Sequence, residues 1–319
     1  MSHTETSTGP GTAPAAATGA NATGSEIPAD IKPASTKGYT VTTQGAHNIS
    51  MGNANPHQIP KFDDPYKERE WILEHMAGVF RVFGRRGFTE GSAGHISVRD
   101  PVDPHTFWIN PLGIHFSLLK ASDMVRVDEE GNLVGGNTSA PINAAGFAIH
   151  SSLHKARPDI NAACHTHSKY GKAYSAFGKP LEMINQDVCT LYNNHCVYTD
   201  FGGVAIEKEE GEAIAKAAGE SNRCIILQNH GLLTAGRTVD EAGYLYTLME
   251  TSCEVQLAAD AAAASGKEKR LIGDAEAAYT AFMNGDPETL YMEFQNDLAL
   301  EKHYDDSFMS FTKNQTAKV

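Results

Sequence analysis

In the segment NAACHTHSKYG, from Asn161 to Gly171, two histidines stand two residues apart after a short apolar run. Residues i and i+2 of a β-strand point to the same face, so a strand ending here would bring His165 and His167 together. Neutral imidazole is a common ligand of zinc, iron, nickel and copper. The alternative interpretation is two polar residues where a strand leaves the core, because two ligands alone do not make a metal site.

The composition divides the chain of 319 residues into three parts. Residues 1–60 are rich in Gly, Ala, Thr, Ser and Pro and carry few large apolar side chains, which predicts a disordered N-terminal tail. Residues 61–265 are numerous enough for one well-buried domain. Residues 266–319 predict a C-terminal helical extension that carries one or two helices.

Charge and hydropathy exclude several classes of protein. The formal net charge of −13 and the lack of a basic stripe argue against a nucleic-acid partner. No apolar run approaches the roughly 18 residues of a membrane span, and the first residues lack the apolar segment of a secretory signal. The five cysteines are scattered without CxxC spacing, which predicts reduced thiols in a cytoplasmic protein.

Strands and helices alternate along the domain. Asp63 to Gly87 predict a capped helix, and short alternating strands follow in GHISVRD, TFWINP and DMVRVDEEGNLVGG. The segment CIILQNHGLLTAG, residues 224–236, predicts a buried strand that runs into a glycine turn. Further helices are expected near 142–156, 206–219 and 238–264. This mixture predicts an α/β or α+β layered fold.

A third histidine strengthens the metal interpretation. His230 stands at the predicted exit of the strand in CIILQNHGLLTAG, and together with His165 and His167 it would leave coordination positions open, as a reactive centre does. His150 and His154 lie four residues apart on one face of a predicted helix and could also bind a metal. We favour the interpretation in which this pair binds no metal and His150 packs beneath the site.

At this point the sequence resembles the class II aldolase/adducin family. The phrases GSAGHISVRD, INPLGIHF, HSSLHKARPDINAACHTHS and ILQNHGLLTAGRTVDEA carry the resemblance, which covers residues 65–265. It implies an α/β fold in which a mixed β-sheet lies between helices as three layers in a single domain. It also implies a homotetramer with sites at subunit interfaces, and a divalent metal held by His165, His167 and His230.

The sequence departs from the family's sugar-phosphate aldolases at several positions. Those enzymes carry a glutamate, a metal ligand and acid/base, about four residues before the histidine that matches His150; here the position is Gly146. Their paired phosphate-binding serines match Ala144 and Ala145, and a further phosphate-loop serine matches Leu112. These three side chains offer no donor to a buried phosphate, so we expect a non-phosphorylated substrate.

Other residues must therefore supply the chemistry of a missing base. The Asn of the family's GN-x-S turn is His95 here, and a downstream tyrosine of the aldolase site falls near Gln186. His115 has the alternative of packing near Phe116, and Asp187 that of capping or pairing with an arginine. The predicted catalytic residues are His95, His115, Gln186, Asp187 and Tyr192.

Three functions remain open. The phrases GHISVRDP and INPLGIHFSLLK are similar to an oxidative branch of the family, the aldolase-like iron oxygenases of aminocoumarin biosynthesis. We therefore expect a three-histidine Fe(II) oxygenase that cleaves or decarboxylates a small carboxylate in secondary metabolism with O2, with Fe(II) favoured over Zn(II) or Mn(II). The alternatives are a Zn- or Mn-dependent aldolase or decarboxylase, and a non-catalytic adducin-like interaction module.

Overall fold

The computed structural model describes residues 43–203 and 208–311, and its centre is one eight-stranded mixed sheet. The strand order is β4-β3-β2-β1-β5-β8-β7-β6, and only the pairing of β6 with β7 is parallel. The strands are β1 (His95–Arg99), β2 (Thr106–Ile109), β3 (Val125–Asp128), β4 (Leu133–Gly136), β5 (Ala162–Thr166), β6 (His195–Tyr198), β7 (Cys224–Leu227) and β8 (Gly231–Gly236).

Helices cover both faces of this sheet, as the three-layer prediction requires. Helices α2 and α4 pack on one face, α1 and α5 pack on the other, and α7 packs on α1 and α5. The helices are α1 (Pro65–Arg85), α2 (Ala144–Ala156), α3 (Lys169–Ser175), α4 (Lys208–Ala218), α5 (Val239–Ala263), α6 (Asp274–Asn284) and α7 (Pro287–Tyr304). The predicted α/β fold is confirmed.

The two-residue period of the strands explains how the layers form. In β7, Ile225 and Leu227 pack with the side chains of α2 and α4, whereas Cys224 and Ile226 join the core under α1 and α5. All four side chains are buried, so β7 is apolar on both faces. A strand that is covered on both faces reads as a continuous apolar run, as CIIL does here.

The segment CIILQNHGLLTAG corrects one expectation. It does not form one strand that ends in a glycine turn, because β7 and β8 are two antiparallel strands of this segment. Asn229 adopts a left-handed conformation with φ 58°, and this reverses the chain directly before His230. The parallel strand β6 was also absent from the sequence-based prediction.

The C-terminal helices belong to the main core. Leu290, Phe294 and Leu298 of α7 are fully buried in the same cluster as Phe80 of α1. The predicted tail is only partly described, because residues 1–42 lie outside the described residues. After them, a 3-10 helix at Ala46–Ile49 contacts α7, so the disorder of residues 1–60 stays a prediction.

Two further expectations concern membranes and thiols. Across residues 43–203 and 208–311, no helix combines the length and apolar character needed to cross a bilayer. None of the five cysteines forms a disulfide, and four of them are buried.

Candidate metal centre

The three histidines come together at one end of the central strands. His165 lies near the end of β5, and His167 follows that strand directly. His230 lies in the turn between β7 and β8, and β8 is paired with β5. The antiparallel pairing therefore brings residues that are 63 positions apart to the same edge of the sheet.

The arrangement of the three rings suits one metal ion. One ligand nitrogen from each of His165, His167 and His230 lies within 4.8 Å of the other two, and the Nε2 atoms of His167 and His230 are 3.0 Å apart. Nδ1 of His165 donates a hydrogen bond to the carbonyl oxygen of Leu232 at 2.8 Å, which leaves its Nε2 as the ligand atom. A backbone carbonyl on the far nitrogen orients many metal-binding histidines. In the part of the chain that is described, no carboxylate joins this group.

Burial keeps these imidazoles neutral, which is the form that binds a metal. Burial, followed by the neighbouring His230, holds the pKa of His165 well below its usual range. Burial also lowers the pKa of His167, and it lowers the pKa of His230 to about 4 with a contribution from His167. The three side chains are therefore ready to act as ligands at neutral pH.

His95 lies beside the cluster, at the position that sequence comparison marked as a departure. It faces His165 in the pairing of β1 with β5, and the two ring centroids are 4.8 Å apart. A β-carbon built on Gly146 would lie 2.5 Å from Cδ2 and 2.9 Å from Nε2 of His95. The ring of His95 thus fills the space that any side chain at position 146 would need, so the two departures form one structural feature.

Behind His95 lies a continuous chain of buried hydrogen bonds between β1 and α2. Nδ1 of His95 is 2.8 Å from Nε2 of His150, whose Nδ1 is 2.5 Å from Oγ of Ser97. The same Oγ is 2.8 Å from Nε2 of His154, and Nδ1 of His154 is 3.4 Å from the carbonyl oxygen of Ile160. The pair His150 and His154 therefore packs beneath the site. Sequence reasoning missed Ser97, although its i+2 relation to His95 on a strand was a usable signal.

A buried carboxylate supports the other side of the cluster. Glu250 of α5 accepts hydrogen bonds from Oγ of Ser168, from the backbone N–H of Tyr170 at 2.8 Å and from that of Gly171 at 2.7 Å. Ser168 is the N-cap residue of α3 and makes no capping bond of its own, so Glu250 caps this helix from another element. Because Ser168 follows His167 directly, Glu250 fixes the backbone next to a candidate metal ligand. Sequence reasoning missed this residue, because no local spacing indicates it.

The other predicted catalytic residues lie elsewhere in a single chain. His115 is exposed and accepts a hydrogen bond from a backbone amide at the start of a short 3-10 helix. Gln186 and Asp187 are exposed, and Tyr192 is half-buried just before β6. Since β6 is parallel to β7, these residues lie near the start of both strands, whereas His230 follows the end of β7. One chain therefore does not bring these side chains to the three histidines.

The sequence was compared with protein families and with individual known proteins, and both comparisons found similar sequences. The sequence profile of the class II aldolase and adducin N-terminal domain matches residues 74–257. The meiotically up-regulated gene 14 protein of Schizosaccharomyces pombe is 50% identical over 213 residues, which cover 67% of this chain and 82% of that protein. The 4-hydroxy-3-prenylphenylpyruvate oxygenase/4-hydroxy-3-prenylbenzoate synthase of Streptomyces roseochromogenus subsp. oscitans is 41% identical over 205 residues, 64% of this chain and 73% of that protein.

A solved structure agrees with this assignment. The L-fuculose 1-phosphate aldolase from Glaciozyma antarctica PI12 superposes with a TM-score of 0.72 at 38% identity, over 79% of this chain and 96% of that one. The profile match covers more than half of the chain and includes all three histidines of the cluster. The chain therefore belongs to the class II aldolase and adducin family, as its motifs predicted.

Proposed function

We propose that the protein is a metal-dependent enzyme, a three-histidine Fe(II) oxygenase that cleaves a carbon–carbon bond beside the carboxylate of a small molecule. The observation that carries this proposal is the donor set, which among the described residues consists of three imidazoles. The ring of His95 stands where a glutamate side chain would have to begin. The donor set thus lacks the carboxylate that the resemblance to aldolases implies at position 146.

The charge of such a donor set favours an anionic substrate. Three neutral imidazoles leave the double charge of a divalent ion uncompensated, so a carboxylate that chelates the ion is strongly attracted. A bound metal would supply Lewis acidity and, as Fe(II), electrons for O2. The chain itself orients His165 through the carbonyl of Leu232 and holds His167 through the backbone capped by Glu250.

The relative named as an oxygenase and benzoate synthase supports an oxidative reaction on a small carboxylate. For a 2-hydroxy acid, R–CH(OH)–COOH and O2 would give R–COOH, CO2 and H2O. This balances atoms and uses all four oxidising equivalents of O2. The proposal therefore requires one O2 to be consumed for each CO2 released.

A lyase that uses Zn(II) or Mn(II) without O2 is the second candidate. It is favoured by the solved structure named as an L-fuculose 1-phosphate aldolase, at 38% identity. The side chains of Ala144 and Ala145 at the start of α2 give a phosphate no hydrogen-bond donor. We therefore place such a lyase on a non-phosphorylated substrate. The retained three-histidine group argues against a purely structural, adducin-like module.

An oxygen electrode separates the two enzymatic candidates. The protein is purified without air, loaded with Fe(II), and given a panel of small 2-oxo and 2-hydroxy carboxylates. Consumption of O2 that matches CO2 release supports the oxygenase, whereas product formed at the same rate without O2 supports the lyase.

We also propose a homotetramer, because Gln186, Asp187 and Tyr192 could reach a site only from a neighbouring subunit. Light scattering that shows a monomer would exclude that role.

A further inference from the structure

The hydrogen-bond chain behind His95 has a direction, because it ends at a group that can only accept. The carbonyl oxygen of Ile160 has no hydrogen to give, so Nδ1 of His154 must be the donor in that contact. A neutral imidazole carries one N–H, so Nε2 of His154 is then an acceptor, and the Oγ hydrogen of Ser97 points to it.

The same reasoning assigns donor and acceptor at the next residues of the hydrogen-bond chain, as far as His95 beside the metal centre. The single hydroxyl hydrogen of Ser97 is already used, so its oxygen accepts from Nδ1 of His150. Nε2 of His150 is therefore an acceptor, and Nδ1 of His95 donates to it. Within the described residues, no hydrogen bond uses the opposite nitrogen of His95, and that nitrogen remains without a hydrogen.

We propose that His150, Ser97 and His154 are positioning residues that hold His95 in its Nδ1–H tautomer, so that its Nε2 is a hydrogen-bond acceptor on a ring that lies beside the metal centre. The inference rests on the proposed function only for the use of that acceptor. A ligand that binds beside Nε2 gains a hydrogen bond if it carries an O–H group next to its metal-binding oxygen. The hydrogen-bond chain behind His95 thus favours the binding of a hydroxy carboxylate over that of an oxo carboxylate of the same shape.

Two properties of the surroundings support a fixed tautomer. Burial holds the pKa of His150 well below its usual range and lowers the pKa of His154 to about 3, so both rings are neutral near neutral pH. His150 and Ser97 are fully buried, which keeps water from replacing a partner. Reversing the chain would place an imidazole lone pair against the carbonyl oxygen of Ile160, which is costly in a buried place.

Nitrogen-15 NMR of the full-length protein labelled in histidine tests this inference directly, because it distinguishes Nδ1–H from Nε2–H imidazoles. Spectra are recorded near neutral pH without metal and with zinc, which is diamagnetic, and His95 is assigned from the signals lost in His95→Gln. The expected result is Nδ1–H at His95, His150 and His154. An Nε2–H tautomer or an imidazolium at His95 would overturn the inference.

A matched pair of serine variants tests whether the hydrogen-bond chain determines the tautomer of His95. Ser97→Ala removes the hydroxyl that connects His154 to His150, so the direction set at the carbonyl of Ile160 no longer reaches His95, which should become a mixture of tautomers. Ser151→Ala, on the same helix as His150, removes a buried hydroxyl whose hydrogen bond among the described residues goes to Ala148 of its own helix, and it should leave His95 unchanged. A fully unchanged His95 tautomer in folded Ser97→Ala would contradict the proposal; if that variant does not fold, the wild-type spectrum still decides.

Zinc calorimetry on the same sample keeps the two proposals separate. A protein that binds no zinc but shows Nδ1–H at His95 would refute the metal-dependent function and leave this inference standing. A protein that binds zinc but shows Nε2–H at His95 would refute this inference and leave the metal-dependent function standing.

Discussion

Gly146 and His95 occupy one space: a β-carbon on Gly146 would lie 2.5 Å from Cδ2 of the His95 ring. The glycine is therefore required by the histidine, and neither residue can be interpreted alone. A neutral imidazole from β1 thus fills the space in which the resemblance to sugar-phosphate aldolases implies a carboxylate.

Replacing Gly146 with alanine should destabilise the protein, although alanine normally stabilises a helix by about 1 kcal/mol relative to glycine. The new methyl group would overlap the His95 ring, and overpacking of this kind costs about 1–3 kcal/mol. Urea unfolding of Gly146→Ala measures the loss. In a His95→Ala background, the same change at position 146 should cost little, because the ring is gone. Equal costs in both backgrounds would show that the two residues do not share the space.

In the zinc-loaded protein, the ratio of the affinity for lactate to the affinity for pyruvate should be higher in wild type than in a variant that lacks the acceptor at position 95. The lactate hydroxyl can donate to Nε2 of His95, whereas the pyruvate carbonyl cannot. One net hydrogen bond is worth about 1 kcal/mol, or roughly fivefold in affinity. Calorimetry with wild type, His95→Leu and Ser151→Ala measures the lactate-to-pyruvate ratio. The ratio should fall only in His95→Leu, and an unchanged ratio there would rule out this use of Nε2.

Glu250→Gln should weaken zinc binding as well as stability. The change removes one of the oxygens that accept from Ser168, Tyr170 and Gly171, and loss of a partner by buried donors costs about 1–3 kcal/mol. Since Ser168 follows His167, the ligand would also be held less firmly. Glu268→Gln, at an exposed position, is the control. Zinc titration that gives the same affinity for Glu250→Gln and the control would confine Glu250 to a purely structural role.

Stability should fall in mild acid because His154 is buried in its neutral form. Its folded-state pKa is about 3, against an ordinary value of 6.5, so between these values the unfolded chain binds the extra proton. The contribution is complete above pH 6.5 and is lost as the pH falls, by up to about 1.4 kcal/mol per pH unit. His154→Gln can keep both hydrogen bonds but cannot titrate. Urea unfolding from pH 7.5 to 5 should give a shallower slope for this variant, and identical slopes would contradict the assignment.

Local sequence patterns were sufficient for most of the fold and for the three histidines. Helix α1 begins at Pro65 with Asp64 as its N-cap, as the capping pattern indicated, and the i, i+2 spacing located His165 and His167 at a strand end. His230 lies beside these two histidines, although it does not stand directly at a strand exit. It lies in a tight reversal, which depends on the conformation of Asn229.

What the sequence did not show depends on contacts between distant elements. The cap from Glu250 joins α5 to α3, and the His95–His150–Ser97–His154 chain joins β1 to α2. No local sequence pattern marks such pairs. The spacing of residues within a strand or a helix does not tell which residue of another element packs against them. The strand β6 was missed because the four residues HCVY are short and follow an irregular segment.

Iron content measured after anaerobic equilibrium dialysis shows whether the three histidines bind a metal ion. Wild type should retain one Fe(II) per chain, held by His165, His167 and His230. His167→Ala should lose stoichiometric iron while keeping its thermal midpoint, and His105→Ala, which changes a surface histidine that is 87% exposed, should retain the metal. A wild-type protein without stoichiometric metal, or a His167→Ala variant that binds iron as wild type does, would contradict the three-histidine centre.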